Sequence, residues 1–267
     1  MEKLPNAAES SLGVVIAALN GENFETALSH WLGRCLEIDN VTLLAYYQNR
    51  APSALYTQAA DPRVHAELAS TYIGGAYLLD PFHELHVKKA PRGLYRLKDI
   101  APDQFHRNPY YSRYYRCTTL IDELAFVAYP GTGVSLHVCL GRDATSNRRF
   151  ATREIETAQR IAPIVISLTE VRWSGLRSSG SDPESYQDSE VARRLIDAAR
   201  AEHGVSLSGR QAAVALLILR GHSSASIGLR LGISPQTVKV FRKQLYRKCT
   251  ISSQAELFSL MMPLLRG

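Results

Sequence analysis

No stretch of the sequence approaches the ~20 consecutive apolar residues that a membrane span needs. The longest apolar segment, Ala162 to Leu168, is short and interrupted by Pro163. The four cysteines, Cys35, Cys117, Cys139 and Cys249, stand far apart with no CxxC pair. That spacing excludes a zinc ribbon or a disulfide framework and points to reduced thiols. The opening segment, MEKLPNAAESS, lacks a basic region followed by an apolar core, so no secretory signal is expected and a cytoplasmic location is. There is no Gly-rich phosphate loop and no nucleophile elbow. His83 and His86 fall on one side of an expected helix beside Glu84, but no third ligand stands at metal spacing. No enzymatic activity, cofactor or metal is therefore expected.

What is present is an ordinary globular balance, 45% hydrophobic and 21% charged over 267 residues, a length that suits two domains. The formal charge of +6 is unevenly distributed. Residues 203–267 hold nine basic residues (Arg210, Arg220, Arg230, Lys239, Arg242, Lys243, Arg247, Lys248 and Arg266) and one acidic residue, Glu256. The other 202 residues carry 22 basic against 24 acidic. The basic excess belongs to the C-terminal quarter, which points to a polyanion partner for that segment.

Apolar spacing predicts helices over 7–19 and 23–36, then strands over 41–48 and 54–58. Residues 61–74 read as a helix with Asp61 at its cap and Pro62 in its first turn, and a shorter helix starts at Asp80-Pro81. A short strand over 93–96 and a short helix over 108–116 precede a hairpin, 120–129 and 134–141, turned by Pro130-Gly131-Thr132-Gly133. A long helix, 151–173, presents Ile155, Ala158, Ile161, Ala162, Val165, Leu168 and Val171 on one face. The expected class is α+β: an N-terminal α/β/α sandwich built on an antiparallel sheet, and a C-terminal four-helix unit. Domain limits are expected at 1–173, 174–202 (a Ser/Gly/Pro-rich linker and a linker helix from 188) and 203–267.

Within the last domain, helices are expected over 208–219, 224–231, 235–248 and 253–262. Ser208 suits a cap, Gly221 a helix end, and Ser234-Pro235 a helix start. In the third helix Val238, Phe241 and Leu245 form the packing face, extended by Lys248, while Lys239, Arg242, Lys243 and Arg247 populate the other side. A short helix, a Gly-containing turn and a basic second helix follow helix-turn-helix logic, in which the second helix enters the major groove. Lys and Arg there donate to guanine acceptors or phosphates, and Ser234, Gln236 and Thr237 sit near the helix start, where phosphate contacts are made.

The stretch LSGRQAAVALLILRGHSSASIGLRLGISPQTVKVFRKQLYRKCTISSQAEL resembles the DNA-binding domain of LuxR/GerE-type bacterial transcription regulators. The resemblance rests on Leu207-Ser208-x-Arg210, Gly221, Ile227, Leu231-Gly232-Ile233-Ser234, Thr237-Val238-Lys239, Tyr246-Arg247-Lys248 and Glu256-Leu257. It implies a double-stranded operator, a homodimer with the last helix as a dimerisation element, and RNA polymerase as a further candidate partner. Departures are Gln211, Gly228, Phe241 and Gln254, where the family commonly carries Glu, Ala, His and Arg. Gln211 is expected to lose an internal ion pair.

The family's N-terminal domains vary. Residues 1–60 lack the strand and paired acids of a phosphoacceptor receiver domain. The helix–sheet–helix order resembles GAF/PAS-type sensing folds, and more loosely the acyl-homoserine-lactone domains of quorum-sensing LuxR proteins, whose pockets carry an Asp-Pro like Asp80-Pro81. The pocket Trp and Tyr that precede that Asp there have no counterpart here. Of 13 tyrosines, 11 lie within the first 129 residues. Tyr72, Tyr77, Phe82, Tyr95, Tyr114 and Tyr115, with the carboxylates Asp80 and Asp122, form a candidate site for a small amine or quaternary ammonium effector, held by cation–π and ion-pair attraction. A lactone effector, and an N-terminal domain that serves only dimerisation, are the alternatives. An effector is expected to act by changing how the helices near 151–173 and 188–202 place the two DNA-binding units.

Overall fold

A computed structural model describes residues 6–48, 50–178 and 188–265; the expected linker residues 179–187 lie outside the described residues. Along the chain run helices α1 (Asn6–Ala17) and α2 (Phe24–Cys35), strands β1 (Asn40–Tyr47) and β2 (Ser53–Ala59), and helix α3 (Pro81–Val87). Strand β3 (Gly93–Arg96), helices α4 (Leu97–Ile100) and α5 (Pro109–Arg113), strands β4 (Leu120–Gly131) and β5 (Val134–Asp143), and helix α6 (Thr152–Arg172) come next. Helices α7 (Asp188–His203), α8 (Gly209–Arg220), α9 (Ser224–Leu231), α10 (Pro235–Lys248) and α11 (Gln254–Leu265) complete the chain. Two compact units emerge: Met1–Ala66 with Ala90–Asp99 and Thr119–Ser179, and Glu67–Lys89 with Ile100–Thr118 and Gly180–Gly267.

The first unit is a five-stranded antiparallel sheet in the order β2-β1-β5-β4-β3. The period of two along each strand decides what it buries. Val41, Leu43, Ala45 and Tyr47 of β1, Leu124, Phe126 and Ala128 of β4, and Val134, Leu136, Val138 and Leu140 of β5 join one core. That core is closed by Val15 of α1, by Phe24, Leu28, Trp31 and Leu32 of α2, and by Ile155, Ala158, Ile161 and Val165 of α6. Trp31 satisfies its indole by donating to the Ala8 carbonyl at 3.0 Å. The alternate residues Tyr46 and His137 are buried on the opposite face, ring edge to ring face at 4.7 Å.

A buried guanidinium anchors one end of the sheet. Arg142 is 2% exposed and lies 2.6 Å from Glu154, 3.4 Å from Glu37 and 3.7 Å from Asp39. Asn40 donates to Asp143 at 2.8 Å, and a Cβ on Gly141 would stand 2.1 Å from the Asn40 amide oxygen, so a side chain there would push Asn40 out of this bond.

In the second unit α7 packs on α8 and α11, while α10 packs on α8 and α9. Val191, Leu195 and Ala199 of α7, Ala212, Val214 and Ala215 of α8, Ile227 of α9, Val238 and Leu245 of α10, and Leu257 and Met261 of α11 are buried. Residues 61–74 depart from the single helix expected. Asp61 does cap, accepting from the Arg63 amide, but only a 3-10 turn over Pro62–Val64 forms behind it. The chain leaves helical conformation at His65, whose ring bonds Thr42 at 2.8 Å, and resumes as a π turn over Leu68–Tyr72. A Cβ at Gly74 would meet the Ser70 carbonyl at 2.4 Å, which is why that wide turn ends in glycine.

Arg142→Met leaves Asp39 and Glu154 without their buried cation. Urea unfolding is expected to show a loss of about 3–5 kcal/mol, and a loss under ~1 kcal/mol would contradict a structural role for the cluster.

Candidate nucleic-acid interface and aromatic cluster

The helix-turn-helix is assembled by its caps. Ser208 accepts from the Gln211 amide at 3.2 Å while the Gln211 side chain accepts from the Ser208 amide at 3.1 Å, a reciprocal capping box that starts α8. The ion pair expected to be lost with glutamate is replaced: Lys248 donates to the Gln211 amide oxygen at 2.9 Å and to the Ser206 carbonyl at 2.8 Å. Gly221 ends α8 with φ +93°, and Gly232 ends α9 with φ +65°, conformations that favour glycine. At Gly228, where the family carries Ala, a Cβ would stand 2.7 Å from the Ile233 carbonyl, so the glycine lets the α9–α10 turn close tightly. Ser234 caps α10 by accepting from the Thr237 amide at 3.0 Å, with Pro235 in the first turn.

These caps fix which face α10 presents. Val238 and Leu245 are fully buried and Phe241 is half-buried, so the opposite face carries exposed Gln236, Lys239, Lys243 and Arg247 at helical spacing. Ser234 is exposed at the helix start, and the Thr237 hydroxyl bonds the Ser234 hydroxyl at 2.8 Å. Arg242 is half-buried at the stripe's edge, where its Nε donates to the Tyr246 hydroxyl at 3.1 Å and its guanidinium lies 5.2 Å from that ring's centroid.

The effector candidates separate into distinct groups. Asp80 caps α3, accepting from the Phe82 amide at 2.8 Å, and its second oxygen accepts from the Tyr72 hydroxyl at 2.5 Å. Tyr72 stacks on Tyr114 at 5.6 Å and lies 6.4 Å from Tyr77, so Asp80, Tyr72, Tyr77, Phe82 and Tyr114 are one cluster. Tyr115 belongs to another, against Tyr111 at 5.5 Å and Phe105 at 5.7 Å. Tyr95 and Asp122 lie in the first unit. Tyr95 donates to the Pro91 carbonyl at 2.6 Å. Asp122 shares the strand face of Leu124 and accepts from the Phe150 amide at 3.1 Å, so this carboxylate serves the approach to α6 and not the Asp80 cluster.

Tyr110, which the sequence places in the same dense tyrosine run but not among the candidate site residues, stacks on Tyr114 at 5.5 Å and lies 6.0 Å from Phe105, joining the two ring groups. The four-residue spacing of Tyr110 to Tyr114 and of Tyr111 to Tyr115 was the available signal. A cavity of about 510 Å³ adjoins Tyr114, lined also by Glu67, Thr71, Ala76, Arg113 and Met262. Among the described residues no group of three or more His, Cys, Asp or Glu side chains is placed to hold a metal ion, and no helix is long and apolar enough to cross a membrane.

A capped, basic helix behind a glycine turn is the arrangement of a helix-turn-helix. Residues 205–261 match the family of bacterial regulatory proteins, luxR family, known by its GerE domain. Residues 205–261 thus carry a helix-turn-helix domain of the LuxR/GerE type at the C-terminal end. The chain is 28% identical over 184 residues, 68% of this chain and 93% of the relative, to an HTH-type transcriptional regulator in the exeN 3' region of Aeromonas salmonicida. Its fold is similar to the VqsR LBD domain of Pseudomonas aeruginosa, with 27% identity and a TM-score of 0.55 over 65% of this chain and all of that one. SdiA in complex with octanoyl-rac-glycerol aligns over 98% of this chain and 97% of its own, at 15% identity and a TM-score of 0.43. About two thirds of the chain thus shares the fold of the VqsR LBD domain.

Burial pushes the Asp80 carboxyl up from 3.8 to about 6, against the opposing effect of its bonds from Tyr72 and Phe82. With its folded pKa above the unfolded one, the stability it contributes is complete below about pH 4 and is lost as pH rises through about 6. Asp80→Asn keeps a capping side chain without the charge. Its melting temperature is expected to rise by about 2–4 °C at pH 7.5 and to match the parent near pH 4. Equal shifts at both pH values would show that burial of the charge is not the cause.

Proposed function

We propose that this chain is an effector-responsive regulator that binds double-stranded operator DNA through α10, with residues 1–173 as the sensor, 174–202 as the linker and 203–267 as the DNA-binding domain. The observation that carries the DNA half is the exposed stripe Gln236, Lys239, Lys243 and Arg247 on a helix whose opposite face is buried. In a major groove these side chains meet base edges and phosphates, while Ser234, Thr237 and Arg242 flank the stripe. A two-fold dimer would read a two-fold operator.

The effector best suited to the Asp80 cluster is a small organic cation. The reading rests on a buried carboxylate beside Tyr72, Tyr77 and Tyr114, with a cavity of ligand size adjoining Tyr114. A lactone is the second reading, favoured by Asp80-Pro81. A thermal-shift panel of amines, quaternary ammonium compounds and acyl-homoserine lactones separates the two. Stabilisation by amines alone is expected, stabilisation by lactones alone selects the second, and none by either favours a domain that only dimerises.

Lys239→Ala and Lys243→Ala are each expected to weaken operator binding by about 1–3 kcal/mol in fluorescence anisotropy. Equal losses on operator and random DNA would identify phosphate contacts. Unchanged binding in both variants would remove α10 from the interface.

A further inference from the structure

The α8–α9 connection is held by residues that precede it by more than a hundred positions, all within the second unit. Asn108 donates to the Leu219 carbonyl at 3.2 Å, Arg220 donates to the Leu78 carbonyl at 3.1 Å, and the Gln104 amide donates to the Gly221 carbonyl at 3.1 Å. The contacts extend onto α9 and become ionic. Glu84, on α3 and only 5% exposed, accepts from Arg230 at 2.7 Å and from Lys88 at 2.8 Å. Asp103 accepts from the amide of Ser223, the α9 cap, at 3.0 Å.

Burial pushes the Glu84 carboxyl up, but the Lys88 hydrogen bond and the charges of Arg220 and Arg230 outweigh it and hold the group below the usual range. Glu84 is thus an anion at neutral pH. A guanidinium and a main-chain amide at a helix start are also the groups by which proteins bind DNA phosphates. In a helix-turn-helix the first helix, here α9, crosses the DNA backbone. The two carboxylates occupy on α9 the chemistry that phosphates would use.

We propose that Glu84 and Asp103 form an intramolecular lock, in which carboxylates stand in for DNA phosphates on Arg230 and Ser223 and the docked chain is the off-DNA state. Operator binding then requires Arg230 to exchange Glu84 for a phosphate. The lock connects to the aromatic cluster, because α3 carries Asp80 at its cap and Glu84 one turn on. It rests on the reading of α10 as the DNA-binding helix, not on the identity of any effector.

The test is operator affinity of the full chain by fluorescence anisotropy without added effector, for Glu84→Gln, Asp103→Asn, Arg230→Gln and Glu84→Gln with Arg230→Gln. Glu84→Gln is expected to bind about fivefold tighter or more, and Asp103→Asn to tighten in the same direction. The gain from Glu84→Gln is expected to vanish in the Arg230→Gln background, because it acts through that guanidinium. Equal or weaker binding by both Glu84→Gln and Asp103→Asn overturns the lock, as does a Glu84→Gln gain that persists without Arg230. If Glu84→Gln fails to fold, the exposed Asp103→Asn decides alone. Lys239→Ala, measured alongside, separates failure of the lock from failure of the α10 interface: a loss there with no Glu84 effect sinks only the lock.

Discussion

The last carbonyls of a helix have no partner within it, and a buried helix end must find them elsewhere. In the second unit this constraint falls on α8. Its terminal carbonyls at Leu219 and Gly221 are taken by Asn108 and Gln104. A Cβ at Gly221 would stand 2.6 Å from the Asn108 amide nitrogen and 3.1 Å from the Phe105 Cα, so the close approach requires glycine as well as the positive φ. The residue that makes an ordinary helix end is also the residue that admits Phe105 and Asn108. From there the ring series Phe105, Tyr110, Tyr114 and Tyr72 reaches the Asp80 carboxylate.

Where one segment's chemistry was enough, the sequence was readable. Ser234-Pro235 starts α10 because the hydroxyl and the missing N–H both suit a helix start, and neither depends on a distant partner. The hairpin of β4 and β5 was likewise written in two apolar runs around Pro and Gly. Residues 61–74 misled because a good cap starts a helix without setting its length. The helix that Asp61 began stops at His65, whose ring bonds Thr42.

The candidate site was legible only as composition. A dense tyrosine run does not say which rings meet, and the structure divides it by the four-residue spacing, with Tyr114 beside Tyr72 and Tyr115 beside Phe105. Asp122 was grouped with the tyrosines for its charge, but strand parity turns it to the face of Leu124, where the Phe150 amide needs it. Glu84 and Asp103 gave no signal because their partners, Arg230 and Ser223, are remote in sequence. By contrast, the basic stripe was visible as charge, since a solvated helix face needs no partner to be read.

The positive charge of the C-terminal quarter therefore has two destinations. Lys239, Lys243 and Arg247 face outward on α10, while Arg220 and Arg230 turn toward residues 78–108. The account holds that these inward contacts compete with DNA. Amide hydrogen exchange at Gln104, whose N–H donates to the Gly221 carbonyl, tests this most directly. The amide should be protected in the free chain and lose that protection when operator DNA is added at saturation. Protection that persists unchanged in the DNA complex would show that the docked state binds DNA as it stands, and would contradict the account.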